Sequence, residues 1–243
     1  MTRMIGGILW VSLMVPGANM VSGQNYPNKP VRILTSEAGG ANEFSARLIA
    51  QGISGPLGQP VIVEPRVSLI ATQTVAKAPP DGYTLLLQGT SFWIGPLLRK
   101  ASYDPVGDFL PITMASRAPN LLIMHPSLPV KSVKELIALA RARPGELNYG
   151  SGGLGGIDHL APEIFKSTLG VKMEQVLFKG STAAALAVAT GEVQVMFPGV
   201  TVIEPHIQAG RVRALAVTSA QPSALVAGLP TLAASGLPGF DLA

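Results

Sequence analysis

Short apolar runs alternate with helical patterns along this sequence, and glycine or proline turns separate them. Three strands with two helices between them are predicted in the first ninety residues, and the alternation resumes after residue 120. The strands are predicted at 31–34, 61–64, 83–88, 121–124, 175–178, 193–197 and 213–217. Because alternating strands and helices form right-handed βαβ units, we predict an α/β fold with a largely parallel sheet. We expect two α/β halves, one ending near residue 120 and the other near residue 213.

The predicted helices have recognisable start and stop signals. Ser132, followed three residues later by a glutamate, predicts a capping box ahead of apolar residues spaced along one helix face. Asp158 and Ser181 are predicted to be the N-caps of two later helices. Gly55 and Pro56 predict the end of the first helix.

The N-terminus is typical of an export signal. Arg3 is basic, 5–15 is apolar, and 21–23 contains small residues suited to cleavage. The apolar run is shorter than the roughly 20 residues that a spanning helix needs. We therefore predict a periplasmic protein whose signal peptide, 1–23, is cleaved near Gly23.

Composition and spacing exclude several classes of function. The 18 basic and 14 acidic residues are scattered, so we expect no nucleic-acid partner. The sequence has no cysteine, which excludes disulfides, thiol catalysis and thiolate metal sites. His125, His159 and His206 lack metal-ligand spacing. We therefore expect no metal and no cofactor.

Five glycines fall within residues 147–159, between a short predicted strand and a helix. Glycine has no β-carbon, so a ligand can approach the main chain, and the amides at a helix N-terminus favour anionic groups. Residues Gly150 to Gly155 also match the dinucleotide pattern G-x-G-x-x-G. That match is weak, because the acid near the required distance, Glu174, precedes its strand.

A secreted serine hydrolase is an alternative at the same loop, with Ser151 as nucleophile and His159 as base. The pattern G-x-S-x-G fails because Tyr149 occupies the first glycine position. Three other turns, at 37–42, 88–93 and 178–181, also follow a predicted strand and precede a helix. In α/β sheets ligands bind at that end of the strands, so these loops predict a cleft that binds without acid-base chemistry.

Seven phrases of the sequence are specific enough to indicate a family. They are YPNKPVR at 26–32, LGQPVIVE at 57–64, APPDGYTLL at 78–86, PSLPVKSVKEL at 126–136, LNYGSG at 147–152, FKGS at 178–181 and LAVTSA at 215–220. Together they resemble the Bug-type periplasmic receptors of tripartite tricarboxylate transporters. The likeness covers nearly all of residues 26–240.

The resemblance implies a two-domain type II periplasmic-binding-protein fold with a hinged interdomain cleft and no catalysis. Domain 1 would comprise 24–120 and 218–243, domain 2 would comprise 121–217, and the hinge would lie near 119–122 and 216–219. The implied ligand-binding residues are Ser36, Glu37, Gly39, Gly40, Asn42, Thr90, Ser91, Tyr149, Ser151, Gly152, His159, Lys179, Gly180 and Ser181. The implied partners of the monomer are a small organic carboxylate and membrane subunits of a tripartite tricarboxylate transporter.

The chain departs from the family pattern mostly at this site. In the first loop the family's aromatic residue and prolines are absent, and Glu37 replaces a neutral residue. Gly156 and Ile157 replace hydroxyl residues of the glycine loop. We hypothesise a ligand with an ammonium or amide group beside its carboxylate, and a degenerate, non-binding member is the other alternative. The family normally continues well past Phe240, so either the C-terminal end is missing or something else covers the apolar surface, and we expect domain 1 to be incomplete and stability to be reduced.

Overall fold

The computed structural model describes residues 26–242, which form two β-sheets with flanking helices. The predicted signal peptide lies outside the described residues. The first sheet has the strand order β2-β1-β3, and all its strands are parallel. Its strands are β1 (Val31–Thr35), β2 (Val61–Pro65) and β3 (Thr84–Leu87), and its helices are α1 (Ala41–Leu57), α2 (Ser68–Ala76) and α3 (Ser91–Leu98).

The second sheet has the strand order β6-β5-β7-β4-β8. Its strands are β4 (Leu121–Met124), β5 (Asn148–Ser151), β6 (Glu174–Leu177), β7 (Val195–Met196) and β8 (Arg213–Val217). Its helices are α4 (Val133–Ala142), α5 (Ile157–Leu169), α6 (Ser181–Thr190) and α7 (Val200–Gln208). β4 is antiparallel to its two neighbours, β7 and β8, whereas β5 is parallel to β6 and β7. Among the helices of residues 26–242, none has the length and apolarity needed to cross a membrane.

The larger sheet is covered on both faces, as the side chains of β4 show. Leu122 and Met124 join the cluster that contains Leu136, whereas Leu121 and Ile123 join the cluster on the other face. All five side chains are completely buried. Successive side chains of a strand point to opposite faces, so a strand covered on both sides needs an unbroken apolar run.

The first half has a much smaller buried cluster, whose fully enclosed members are Ile33, Ala46 and Ala50. Several large apolar side chains that follow β3 are exposed instead. They are Trp93, Leu97, Leu98, Val106, Leu110, Ile112 and Met114. The larger sheet therefore provides most of the hydrophobic stabilisation within the described residues.

Two boundaries differ from the sequence-based expectation. α1 continues through Pro56 to Leu57 and ends at Gly58, whose φ of 65° is a left-handed conformation that glycine adopts without strain. The predicted end near Pro56 was therefore slightly early. α3 was not predicted, because Gly95 and Pro96 lower the helix propensity of its short pattern.

The predicted cap of α4 is confirmed, because the hydroxyl of Ser132 accepts a hydrogen bond from the N–H of Glu135 at 3.2 Å. The predicted caps of α5 and α6 are wrong. The N-cap of α5 is Gly156, two residues before Asp158, and the N-cap of α6 is Gly180, one residue before Ser181. Both polar side chains instead take part in contacts between elements, described below.

The C-terminal segment packs against the larger sheet. Leu232, Leu237 and Phe240 belong to the buried cluster that also contains residues of α4 and α5. The assignment of 218–243 to domain 1 stays a prediction, and these three side chains pack with the larger sheet. The other domain boundaries stay a prediction.

Leu136→Ala should lower the free energy of unfolding by about 2–5 kcal/mol, because it leaves a cavity in the larger core. Leu186 is the matched control, since it lies on α6 and is 52% exposed. Leu186→Ala should change stability by no more than about 0.5 kcal/mol. Urea unfolding followed by circular dichroism measures both, and equal losses would contradict the assignment of the core.

Candidate ligand-binding site

The two predicted hinge segments are hydrogen-bonded to each other. The N–H of Asn120 donates to Thr218 Oγ1 at 2.9 Å, and the N–H of Thr218 donates to the carbonyl oxygen of Asn120 at 2.9 Å. They lie at the edge of the larger sheet where β4 begins and where the parallel strands end. The chain crosses from the first half through Asn120, whereas Thr218 leads into the C-terminal segment. That these segments act as a hinge stays a prediction.

Loops of the two halves approach each other closely at glycines. A β-carbon added to Gly180 would lie 2.9 Å from Glu37 Cγ. One added to Gly155 would lie 3.4 Å from Ile94 Cβ, so the glycine loop reaches α3 of the first half. Such distances leave little or no room for another side chain, so the approach of the two walls depends on glycine.

A hydrogen bond also joins the two halves. The hydroxyl of Thr182, in the first turn of α6, donates to the carbonyl oxygen of Gly39 at 3.0 Å. Gly39 has a φ of 78°, and the next residue, Gly40, is the N-cap of α1. A β-carbon on Gly199, the N-cap of α7, would lie 3.9 Å from Ala41 Cβ. The N-termini of α1, α6 and α7 therefore meet at one place.

Most polar side chains of the first wall are held by local hydrogen bonds. Asn42 Nδ2 donates to Ser36 Oγ at 2.8 Å, and the hydroxyl oxygens of Ser91 and Ser68 are 3.0 Å apart. Thr90 Oγ1 is shielded from solvent and has no hydrogen-bond partner among the described residues. Thr90 is the N-cap residue of α3, and its predicted role as a ligand contact stays a prediction.

Asp158 organises the second wall. Its Oδ2 accepts hydrogen bonds from the N–H of Gly152 and the hydroxyl of Ser181, each at 2.7 Å. The carboxylate thus ties the end of β5 to the start of α6. Burial raises the pKa of Asp158, and the hydrogen bonds from Ser181 and Gly152 oppose that rise by favouring the charged form.

Tyr149 and Ser151 have no exposed surface. The hydroxyl of Tyr149 donates to Glu163, and Gln175 Nε2 donates to Ser151 Oγ at 2.8 Å. His159 Nδ1 accepts a main-chain N–H of the glycine loop at 3.1 Å. Ser151 and His159 are thus hydrogen-bonded to other groups, which is not the arrangement of a serine nucleophile and its base.

The structure brings most of the predicted ligand-binding residues to the cleft, but it distributes them unevenly. Gly152, Gly180 and Ser181 lie in the second wall, whereas Tyr149 belongs to the core beneath it. Lys179 is exposed. Their roles as ligand contacts stay predictions.

Sequence reasoning missed two residues of the cleft, Asp158 as a bridge between loops and Thr182 as a contact between halves. For Asp158 the sequence does contain a signal, namely an acid at the start of a helix that follows a run of glycines. A bond between residues 143 positions apart, such as that of Thr182, has no local signal.

A second concave surface lies at the opposite edge of the larger sheet. It is an open groove lined largely by apolar residues, including Pro126, Ile207, Val226 and Leu229. It adjoins the beginning of β8, whereas the loops described above follow the ends of the strands. Because ligands of open α/β sheets bind where strands end, the cleft is the better candidate site.

Two α/β halves with facing loops at the strand ends define a solute-binding protein of the two-domain periplasmic type. The chain belongs to the tripartite tricarboxylate transporter receptor family, because its residues 45–243 match the family described as tripartite tricarboxylate transporter family receptor. This membership confirms the predicted family and fold class, and it makes the chain a receptor and not an enzyme.

Individual relatives agree with this assignment. The chain is 32% identical to protein BugT of Bordetella pertussis over 99% of its own length and 76% of that protein. The solved structure of R. palustris Rpa4515 with adipate matches with a TM-score of 0.86 and 38% identity, over 90% of this chain and 75% of that one. MatC of Rhodopseudomonas palustris with bound malate matches with a TM-score of 0.81 and 28% identity, over 89% and 76%. The chain spans 65% to 76% of the lengths of the first curated relatives that it matches.

Gly152→Ala should destabilise the protein by about 1–3 kcal/mol through overpacking. A β-carbon at this position would lie 2.2 Å from the main-chain nitrogen of Ser181, which cannot move without displacing α6. Gly153 is the matched control, since a β-carbon there would meet nothing within 4 Å. Chemical unfolding measures both variants, and a neutral Gly152→Ala would show that the two loops are not in contact.

Proposed function

We propose that this chain is a periplasmic receptor that binds a small carboxylate-containing metabolite in the cleft between its halves. It delivers the ligand, as a monomer, to the membrane subunits of a tripartite tricarboxylate transporter. The observation that carries the proposal is the meeting of helix N-termini from both halves at the ends of the strands. Family membership and the predicted export signal support the location and the partner.

The chemistry of the cleft suits a carboxylate. A helix N-terminus has main-chain N–H groups without helical partners and a partial positive charge, so anionic groups are stabilised there. The unpartnered Thr90 hydroxyl adds a donor on the first wall. Two structural relatives were solved with the dicarboxylates adipate and malate, which are ligands of this class.

A screen of purified protein against mono-, di- and tricarboxylates and their amino and amide derivatives tests this proposal. A ligand at a hundred times its Kd should raise the free energy of unfolding by about 2.7 kcal/mol, because it binds only the folded chain. Differential scanning fluorimetry detects the shift, and titration calorimetry gives the Kd. A folded chain that binds none of the compounds would instead support the degenerate, non-binding alternative.

Thr182→Val should weaken ligand binding about twofold to tenfold, the amount expected for one net hydrogen bond. The substitution keeps the shape of the side chain and removes the donor to Gly39, so the closed arrangement of the two walls loses stability. Thr190→Val is the control, because that hydroxyl bonds to carbonyls of its own helix at the far end of α6. Calorimetry compares both with the parent chain, and equal affinities of all three would show that closure does not use this bond.

A further inference from the structure

Two acids, one from each half, contact the same short segment of the proposed ligand site, Gly180 and Ser181. Glu37 belongs to the loop after β1, and its Cγ packs against the main chain at Gly180. Asp158 stands on the opposite side, where its Oδ2 is bonded to the hydroxyl of Ser181, the residue after Gly180. Within residues 26–242, neither acid has a basic nitrogen within 4.0 Å. Several other acids of that range do form ion pairs.

The two acids differ in how their charge is compensated. The carboxylate of Asp158 accepts the Gly152 N–H and the Ser181 hydroxyl, so its charge is stabilised by the protein itself. Glu37 is half-buried and accepts no hydrogen bond from another residue of the described chain. It therefore retains lone pairs that no other residue of the described chain uses, and a donor on an occupant of the cleft can use them.

The surroundings of Glu37 make an anionic neighbour unfavourable. Burial raises its pKa, a hydrogen bond from its own main chain opposes that rise, and repulsion by Asp158 adds to it. The nearest basic residue in sequence on the facing loop, Lys179, is exposed to solvent. A second carboxylate group of a ligand placed beside Glu37 would meet the same repulsion, whereas an ammonium or amide N–H would relieve it.

We propose that Glu37 selects a ligand that has one carboxylate and, at its other end, an ammonium or amide group. The carboxylate lies against the helix N-termini, and Glu37 accepts hydrogen bonds from the nitrogen. The ligand class is therefore an amino or amide derivative of a short dicarboxylate rather than the dicarboxylate itself. This inference rests on the proposed function, since it concerns the same cleft.

Three matched ligand pairs isolate the group in question. They are succinate with 4-aminobutanoate, glutarate with 5-aminopentanoate, and adipate with 6-aminohexanoate, each pair having similar length and differing in one terminal group. Titration calorimetry at neutral pH should give at least a tenfold lower Kd for the amino member of the best-binding pair. The monoamides of the same three diacids should bind more tightly than the diacids, because each keeps one carboxylate and has N–H donors in place of the second negative charge.

Glu37→Gln is the decisive variant, because glutamine keeps the shape and removes the charge. It should reduce the preference for the amino ligand at least tenfold, chiefly by strengthening binding of the dicarboxylate. Glu192→Gln is the control, since Glu192 is exposed just beyond the C-terminal end of α6, roughly 15 Å from the cleft end of that helix. The Glu192→Gln variant should prefer the amino ligand over the dicarboxylate to the same extent as the parent chain.

The outcomes separate this inference from the proposed function. Tight binding of a dicarboxylate, with a preference that Glu37→Gln leaves unchanged, overturns the role of Glu37 while the receptor function stands. A preference for amino ligands that survives in Glu37→Gln also overturns it, because another group then provides the selection. Failure of the folded parent chain to bind any carboxylate overturns both.

Discussion

The close approach of loops at glycines, both within the second wall and across the cleft, is the constraint on which the site depends. Gly152 lies against Ser181, and Asp158 accepts a hydrogen bond from each of them. The end of β5 is therefore fixed to the beginning of α6. Gly180 and Gly39 then allow the facing loop to reach this junction. A side chain at these positions would separate the walls. The main-chain N–H groups at the N-termini of several helices could then no longer bind one small anion together.

Much of the fold follows from local pattern, and most of the site does not. The apolar run of β4 and the cap at Ser132 are visible in the sequence because each depends on neighbouring residues. The family phrases identify the loops as well. The partner of Asp158 could not be predicted, because a helix-start acid was expected to cap its own helix and instead accepts donors from two other elements. The packing of the C-terminal segment against the larger sheet could not be predicted either, since its apolar residues have no periodic pattern.

The two halves contribute differently to the site. The larger sheet is enclosed on both faces, so the loops that follow β5 and β6 start from a rigid platform. The loops of the first half rest on a thin aliphatic layer with many exposed apolar side chains nearby. The residue that we assign to ligand selection, Glu37, lies on this less enclosed half, where a substitution disturbs little packing. Specificity can therefore change there at small cost in stability.

The paired main chains of Asn120 and Thr218 have a consequence for signalling. Two segments that are bonded side by side bend together more easily than they slide, so we predict that the first half swings about this pair. A protein with one such degree of freedom has two distinguishable outlines, one for the loaded state and one for the empty state. A membrane partner that fits only the loaded outline would recognise occupancy from the surface alone, without touching the enclosed molecule.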